Sequence, residues 1–255
     1  MFVKRRNAPL LFCLSIFAVI GSACSGGAAN ISNTTSPATP AGAAATNSKP
    51  AAAPANNTQI GGEYAATGTN PDGGGNYEAG LTITPREEVY QFSWDSKGKK
   101  YDGVGVKTDD AVAVAYTTGT DGEGCGIVLY MINADGSLDG KAGYWGDNKS
   151  ENERAVRKGG TDLEGDYEIS GKSPDGQDYN GTLKIKKEGQ GYVFNWDAGN
   201  TIEGFGIRAG NLIAVGFGGK QCSFLGYDVQ ADGSLAGKWG GRGNKTLGTE
   251  VAKKK

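Results

Sequence analysis

The chain has 255 residues, 26 Lys and Arg against 28 Asp and Glu, a formal net charge of −2 and no histidine. So even a balance leaves no basic footprint for nucleic acid. The missing histidine removes His-based triads, the commonest general base and the commonest transition-metal ligand, so the chain is read as non-enzymatic, with no cofactor and no metal.

Residues 1–23 read as a targeting segment. Lys4, Arg5 and Arg6 form a positive start, Leu10 to Ile20 is an apolar run, and Gly21-Ser22-Ala23 places small residues before Cys24. The run is shorter than the roughly 20 residues a bilayer span needs. Small residues followed by Cys resemble a bacterial lipoprotein signal, although Gly21 stands where such signals usually carry Leu. That resemblance implies lipidation of Cys24 and attachment to a membrane through the lipid; an ordinary secretory signal cut nearby is the alternative. Residues 24–59 then form a tether almost entirely of Ala, Asn, Thr, Ser, Pro and Gly, in which Lys49 is the one charged residue. Such a composition cannot bury enough apolar surface to offset its ordering entropy, and the tether is expected to be disordered. As a flexible coil it would reach on the order of 30–35 Å.

Beyond the tether the chain repeats itself after roughly 100 residues. Gly62-Glu63-Tyr64 returns as Gly165-Asp166-Tyr167, Pro71-Asp72-Gly73 as Pro174-Asp175-Gly176, and Tyr90-Gln91-Phe92-Ser93-Trp94 as Tyr192-Val193-Phe194-Asn195-Trp196. Ala134-Asp135-Gly136-Ser137-Leu138 is identical to Ala231-Asp232-Gly233-Ser234-Leu235. In the second copy Tyr179, Gly181, Leu183 and Ile185 alternate with Asn180, Thr182, Lys184 and Lys186, the pattern of a half-buried strand. Gly165–Gly171, Tyr192–Trp196, Ile202–Arg208, Asn211–Phe217, Cys222–Val229, Leu235–Gly240 and Leu247–Lys253 follow the same logic, with Gly, Asn and Asp turns between them. The first copy fills the same slots, and no helical period persists. The fold class is therefore all-β. Short loops make consecutive strands antiparallel neighbours, and an up-and-down barrel of about eight strands is the natural way to remove the exposed edges. Two tandem eight-stranded meander barrels are predicted, over residues 60–158 and 159–255.

Candidate sites are few. Tyr90, Phe92 and Trp94, with Tyr192, Phe194 and Trp196, share one face of a strand in each copy; they form either a packed core or the lining of a pocket for an apolar, ring-shaped ligand. Cys125 and Cys222 occupy equivalent positions, and are either a disulfide across a pseudo-twofold axis or two buried thiols. Asp72, Asp175, Asp135 and Asp232 lie in Asp-Gly turns that lack the ligand density of a calcium loop. Glu153 and Glu250 are equivalent carboxylates of the last strand of each copy, expected to point outward into salt bridges.

The succession of Gly-x-Tyr, Pro-Asp-Gly, Tyr77-Glu78-Ala79-Gly80-Leu81, Tyr-x-Phe-x-Trp and Asp-Gly-Ser-Leu-x-Gly resembles repeats of lipid-anchored or secreted bacterial proteins of largely unknown role, some of which carry a fibronectin-binding label. The second copy moves one glycine, reading Tyr179-Asn180-Gly181-Thr182-Leu183. The meander itself is similar to those of avidins and lipocalins. The resemblance implies a cell-envelope protein, lipid-anchored at an outer membrane or cell surface or else secreted, whose barrels serve as an adhesin-like binding scaffold for an extracellular protein. The alternative is a carrier of a small apolar ligand, and less favoured is an enzyme built on Asp and Glu.

Overall fold

A computed structural model of the protein describes residues 59–218 and 222–255. The segment 1–23 predicted as a signal, Cys24 and the predicted tether as far as residue 58 lie outside the described residues. The strands are β1 Gly62–Thr69, β2 Asn76–Arg86, β3 Val89–Ser96, β4 Lys99–Thr108, β5 Ala111–Thr118, β6 Cys125–Ile132, β7 Leu138–Tyr144 and β8 Glu151–Thr161. They continue with β9 Glu164–Lys172, β10 Asp178–Glu188, β11 Gly191–Asp197, β12 Thr201–Ala209, β13 Leu212–Gly218, β14 Ser223–Val229, β15 Leu235–Gly240 and β16 Gly248–Lys254. They form two closed eight-stranded barrels in which every neighbouring pair is antiparallel, as the alternation and turn chemistry predicted.

The barrels do not coincide with the repeats. Strands β6 to β13 follow one another around one barrel, which β13 closes by pairing with β6. The other barrel runs β14, β15, β16, β1, β2, β3, β4, β5; it is closed where β5 pairs with β14, and β1 lies against β16. We call the split barrel the outer barrel and the contiguous one, inserted between β5 and β14, the inner barrel. This corrects the predicted boundaries of 60–158 and 159–255. The repeat boundary falls within β8, which turns directly into its hydrogen-bonded neighbour β9. The chain passes between barrels instead between β5 and β6 and between β13 and β14. Duplication is the physical reason. It offers the free edge of β5 two equivalent partners, β6 and β14, and pairing with either satisfies the same backbone groups.

Side-chain alternation then divides the residues between interior and barrel–barrel contact. On β5, Val112 and Val114 enter the core of the outer barrel, while Ala111, Ala113 and Ala115 face the inner barrel. On β6, Val128 and Tyr130 point into the inner barrel, while Cys125, Ile127 and Leu129 meet those alanines. Burying a side chain such as Ile127 or Leu129 is worth about 1.5–3 kcal/mol, so this seam holds the barrels as one unit. A polar margin borders it. The buried Asp102 of β4 accepts hydrogen bonds from Ser93 at 2.7 Å, Gln91 at 3.0 Å and the indole of Trp145 from the inner barrel. Glu88, in the β2–β3 turn, accepts the backbone N–H of Ser150 at 3.0 Å and its hydroxyl at 2.7 Å.

One end of each barrel is plugged. Tyr64 donates its hydroxyl to the carbonyl of Ile60 at 2.8 Å, and Tyr167 does the same to Leu163 at 2.8 Å. Ile60 and Leu163 are themselves buried and pack into the cores of their barrels. This gives the tyrosine of the Gly-x-Tyr repeat its role.

Cys125 and Cys222 form a disulfide, with Cα atoms 5.8 Å apart. The bond joins the first residue of the inserted barrel to the residue just before β14, so it ties the neck of the insertion. It closes a loop spanning 97 residues, for which chain entropy sets a ceiling of about 4.7 kcal/mol. Replacing both cysteines by serine is expected to lower unfolding stability in urea by about 2–4 kcal/mol. An unchanged midpoint and slope would show that the seam alone holds the neck.

Candidate functional site

The end of the outer barrel opposite the plug opens into a chamber of about 280 Å³. Its walls are Trp94, Tyr101, Tyr116 and Trp239, with Tyr77 beside them. The rings form a connected cage: Trp94 and Tyr116 lie 5.3 Å apart between centroids, Tyr101 and Tyr116 6.1 Å, Tyr116 and Trp239 6.3 Å, and Tyr77 and Trp239 5.9 Å. Below the cage the barrel is filled. Phe92 is fully buried and stacks between Trp94 and Tyr227, at 5.6 Å and 6.3 Å.

At the chamber floor stands a carboxylate. Glu250 is only 4% exposed. It accepts hydrogen bonds from Tyr77 at 2.7 Å, from the indole of Trp94 at 3.1 Å and from Tyr227. Three donors from three strands converge on one acceptor, satisfying a group that would otherwise be costly to bury. β16 aims it inward because its residues alternate: Gly248, Glu250 and Ala252 are buried, Thr249 and Val251 exposed. Its cross-strand partner is Gly237. A Cβ there would stand 2.7 Å from the Tyr227 ring, so the glycine lets the tyrosine lie flat beneath the acid.

The inner barrel repeats the arrangement with different walls. Its chamber, of about 180 Å³, is bounded by Tyr144, Tyr179, Trp196, Ile202 and Phe217, with Glu153 and Glu151 also in its lining. Glu153 accepts from Tyr179 at 3.1 Å, from Trp196 at 3.3 Å and from Tyr130, and Trp196 also donates to the Tyr130 hydroxyl at 3.0 Å. Burial pushes the carboxyls of Glu151 and Glu153 above the usual glutamate range, while hydrogen bonds from the tyrosines pull the other way. Burial likewise raises the Tyr130 hydroxyl well above its ordinary value, and the neighbouring Glu153 adds to that.

The outward, salt-bridged placement expected for Glu153 and Glu250 is therefore wrong. Each shares a strand face with a buried alanine two residues on, Ala155 or Ala252, and that face is the barrel interior. The six aromatic residues divide by depth. Phe92 and Phe194 are core, Trp94 and Trp196 line the chambers, and Tyr90 and Tyr192 sit partly buried at the core's edge, away from the chambers. Asp72 does more than shape a turn. It accepts from the backbone N–H groups of Thr246 at 2.7 Å and Lys245 at 2.8 Å and from Asn244 at 2.9 Å, tying together two loops at the outer barrel's mouth. These bonds hold its carboxyl below the usual aspartate range, that of Asn244 foremost.

No protein-family model, curated protein or solved structure matches the chain. The functional reading rests on the residues.

Two outcomes test the buried acids. Tyr227→Phe removes one donor from Glu250 and is expected to cost about 1–3 kcal/mol in urea unfolding; a neutral result would mean that the acid does not depend on it. Because its folded value is raised, Glu153 binds a proton in the native state before it does in the unfolded chain. Its destabilising contribution is therefore present above the raised value and fades as pH falls through the ordinary glutamate range. Glu153→Gln should accordingly gain stability relative to the parent chain as pH rises from acid to neutral. A stability difference that stays constant with pH would contradict a raised Glu153.

Proposed function

We propose that the protein is a small-ligand binding protein of the cell envelope, whose outer barrel holds a compact, ring-bearing molecule in its open chamber. The chamber of about 280 Å³ carries this reading. It lies just below the usual size range of small-molecule pockets, is walled by aromatic rings and offers a carboxylate acceptor at its floor. Flat apolar groups stack well against such walls. A hydroxyl or amine on the same molecule would reach Glu250, whose carboxylate has lone pairs beyond those engaged by its three donors.

The scaffold reading draws less support. Large hydrophobic side chains exposed among the described residues are single and separate in the chain, Val156, Ile202 and Val251, whereas a protein-docking face calls for a contiguous patch. Acid–base catalysis has one observation behind it, the two carboxyls of the inner chamber with raised values. It is the weaker reading, since Glu153 is engaged by three donors and the outer chamber has no second acid. Attachment through Cys24 belongs to this proposal as well and is supported by the resemblance of the N-terminal sequence to a lipoprotein signal.

Native mass spectrometry of the purified protein should reveal a retained small molecule, or a ring compound taken up on addition. Trp94→Ala should weaken that binding by at least about tenfold, the usual cost of truncating a buried aromatic anchor. A protein that binds no small molecule, and whose capture of an extracellular partner is indifferent to Trp94, would return the reading to the scaffold.

A further inference from the structure

We infer that the inner chamber is built for an organic cation, a small ammonium with an apolar body, and so differs in specificity from the outer one. The inference rests on the ligand-binding reading above and adds a chemical class for the second site.

The two chambers occupy equivalent places in equivalent barrels, so differences between their linings carry meaning. In the outer barrel Trp239 of β15 faces Gly248 of β16 across the strand pair; at the same place in the inner barrel Ala142 of β7 faces Glu151 of β8. A Cβ at Gly248 would come within 2.6 Å of the Trp239 indole nitrogen, so the tryptophan excludes a side chain there. Large beside none has become small beside acidic. The exchange removes a ring and puts a second carboxylate, Glu151, beside Glu153.

The mouths differ in the complementary sense. Lys99 lies at the lip of the outer chamber, its ammonium 5.3 Å from the Tyr101 ring centroid, and supplies that chamber with a cation. The corresponding position in the inner chamber is Asn200. One acid and one lysine thus line the outer chamber, two acids and no basic residue the inner one. Among the described residues, neither Glu151 nor Glu153 pairs with a lysine or arginine.

Two partly buried acids side by side at an open cavity, with no cation between them, leave that cavity electrostatically suited to a cationic guest. The walls define what would complete it. Tyr144 and Phe217 meet edge to face at 5.2 Å and Trp196 lies 5.8 Å from Phe217, so the ring faces and edges surround the acids with apolar surface. Aromatic walls around carboxylates suit an ammonium on a hydrocarbon body, through charge and through cation–π attraction. They suit a hard metal ion poorly. Calcium takes six to eight oxygen ligands, and no group of three or more His, Cys, Asp or Glu placed to hold a metal occurs among the described residues.

Calorimetric titration of the intact protein with benzylammonium and with its neutral counterpart, benzyl alcohol, separates the possibilities. In Trp94→Ala protein, where the outer chamber is disabled, benzylammonium is expected to bind at least about tenfold more tightly than the alcohol. Glu151→Gln, a change at a partly exposed side chain, should abolish that preference without altering the thermal transition by more than a few degrees. Equal affinities for the two probes, a preference that survives Glu151→Gln, or no benzylammonium binding in Trp94→Ala protein at millimolar concentration would each overturn the inference. If benzyl alcohol still bound the parent protein in a Trp94-dependent way, the ligand-binding reading would stand alone. Failure of both probes in the parent protein would remove both.

Discussion

A strand edge that ends unpaired leaves a row of backbone donors and acceptors without partners, and the architecture follows from how β5 meets that demand. Its neighbour in sequence, β6, would have served. The chain instead supplies β14, and β6 is left to close a barrel with β13. Both pairings satisfy the same groups, so duplication creates a choice that no single-copy protein faces. The outcome is a barrel inserted into a barrel, with the first and last strands of the fold side by side.

The insertion brings unlike requirements to one place. The outer faces of β5 and β6 must be apolar and narrow enough for two barrels to touch, which the alanines of β5 and the branched residues of β6 provide. The neck must pass the chain twice within a small area, and the disulfide joins the two crossings there. Equivalent cysteines meet because equivalent residues near a pseudo-twofold axis come close together.

Inside each barrel, eight strands leave a bore that side chains nearly fill. A phenylalanine fills the middle, a tyrosine bonded to a backbone carbonyl secures the plug, and the wider mouth keeps an aromatic-walled space over a buried glutamate. Burying that acid is tolerable because two tyrosines and a tryptophan donate to it, and those residues come from strands far apart in sequence. The two mouths have since diverged by the exchange of facing residues on one pair of strands. Divergence of this kind leaves the common frame intact while altering what the space will accept.

Much of this was legible in the residues. Period-two alternation and Asp-Gly turns place nearly every strand, and the duplication implies two barrels. The inward direction of Glu153 and Glu250 was also readable, since an alternating strand must send a glutamate the same way as the buried alanine two places on. The run Ala111-Val112-Ala113-Val114-Ala115, apolar on both faces, marked β5 as a strand covered from outside as well as within. Sequence alone thus determined strand content, antiparallel order and barrel size, because local alternation and turn chemistry suffice for these. Tertiary structure alone decided which copy of a strand closes each barrel, and which tyrosines and tryptophans surround each acid. Equivalent strands present the same hydrogen-bonding edge, so local sequence does not distinguish them, and only the folded chain brings residues some 170 positions apart, such as Tyr77 and Glu250, within 2.7 Å.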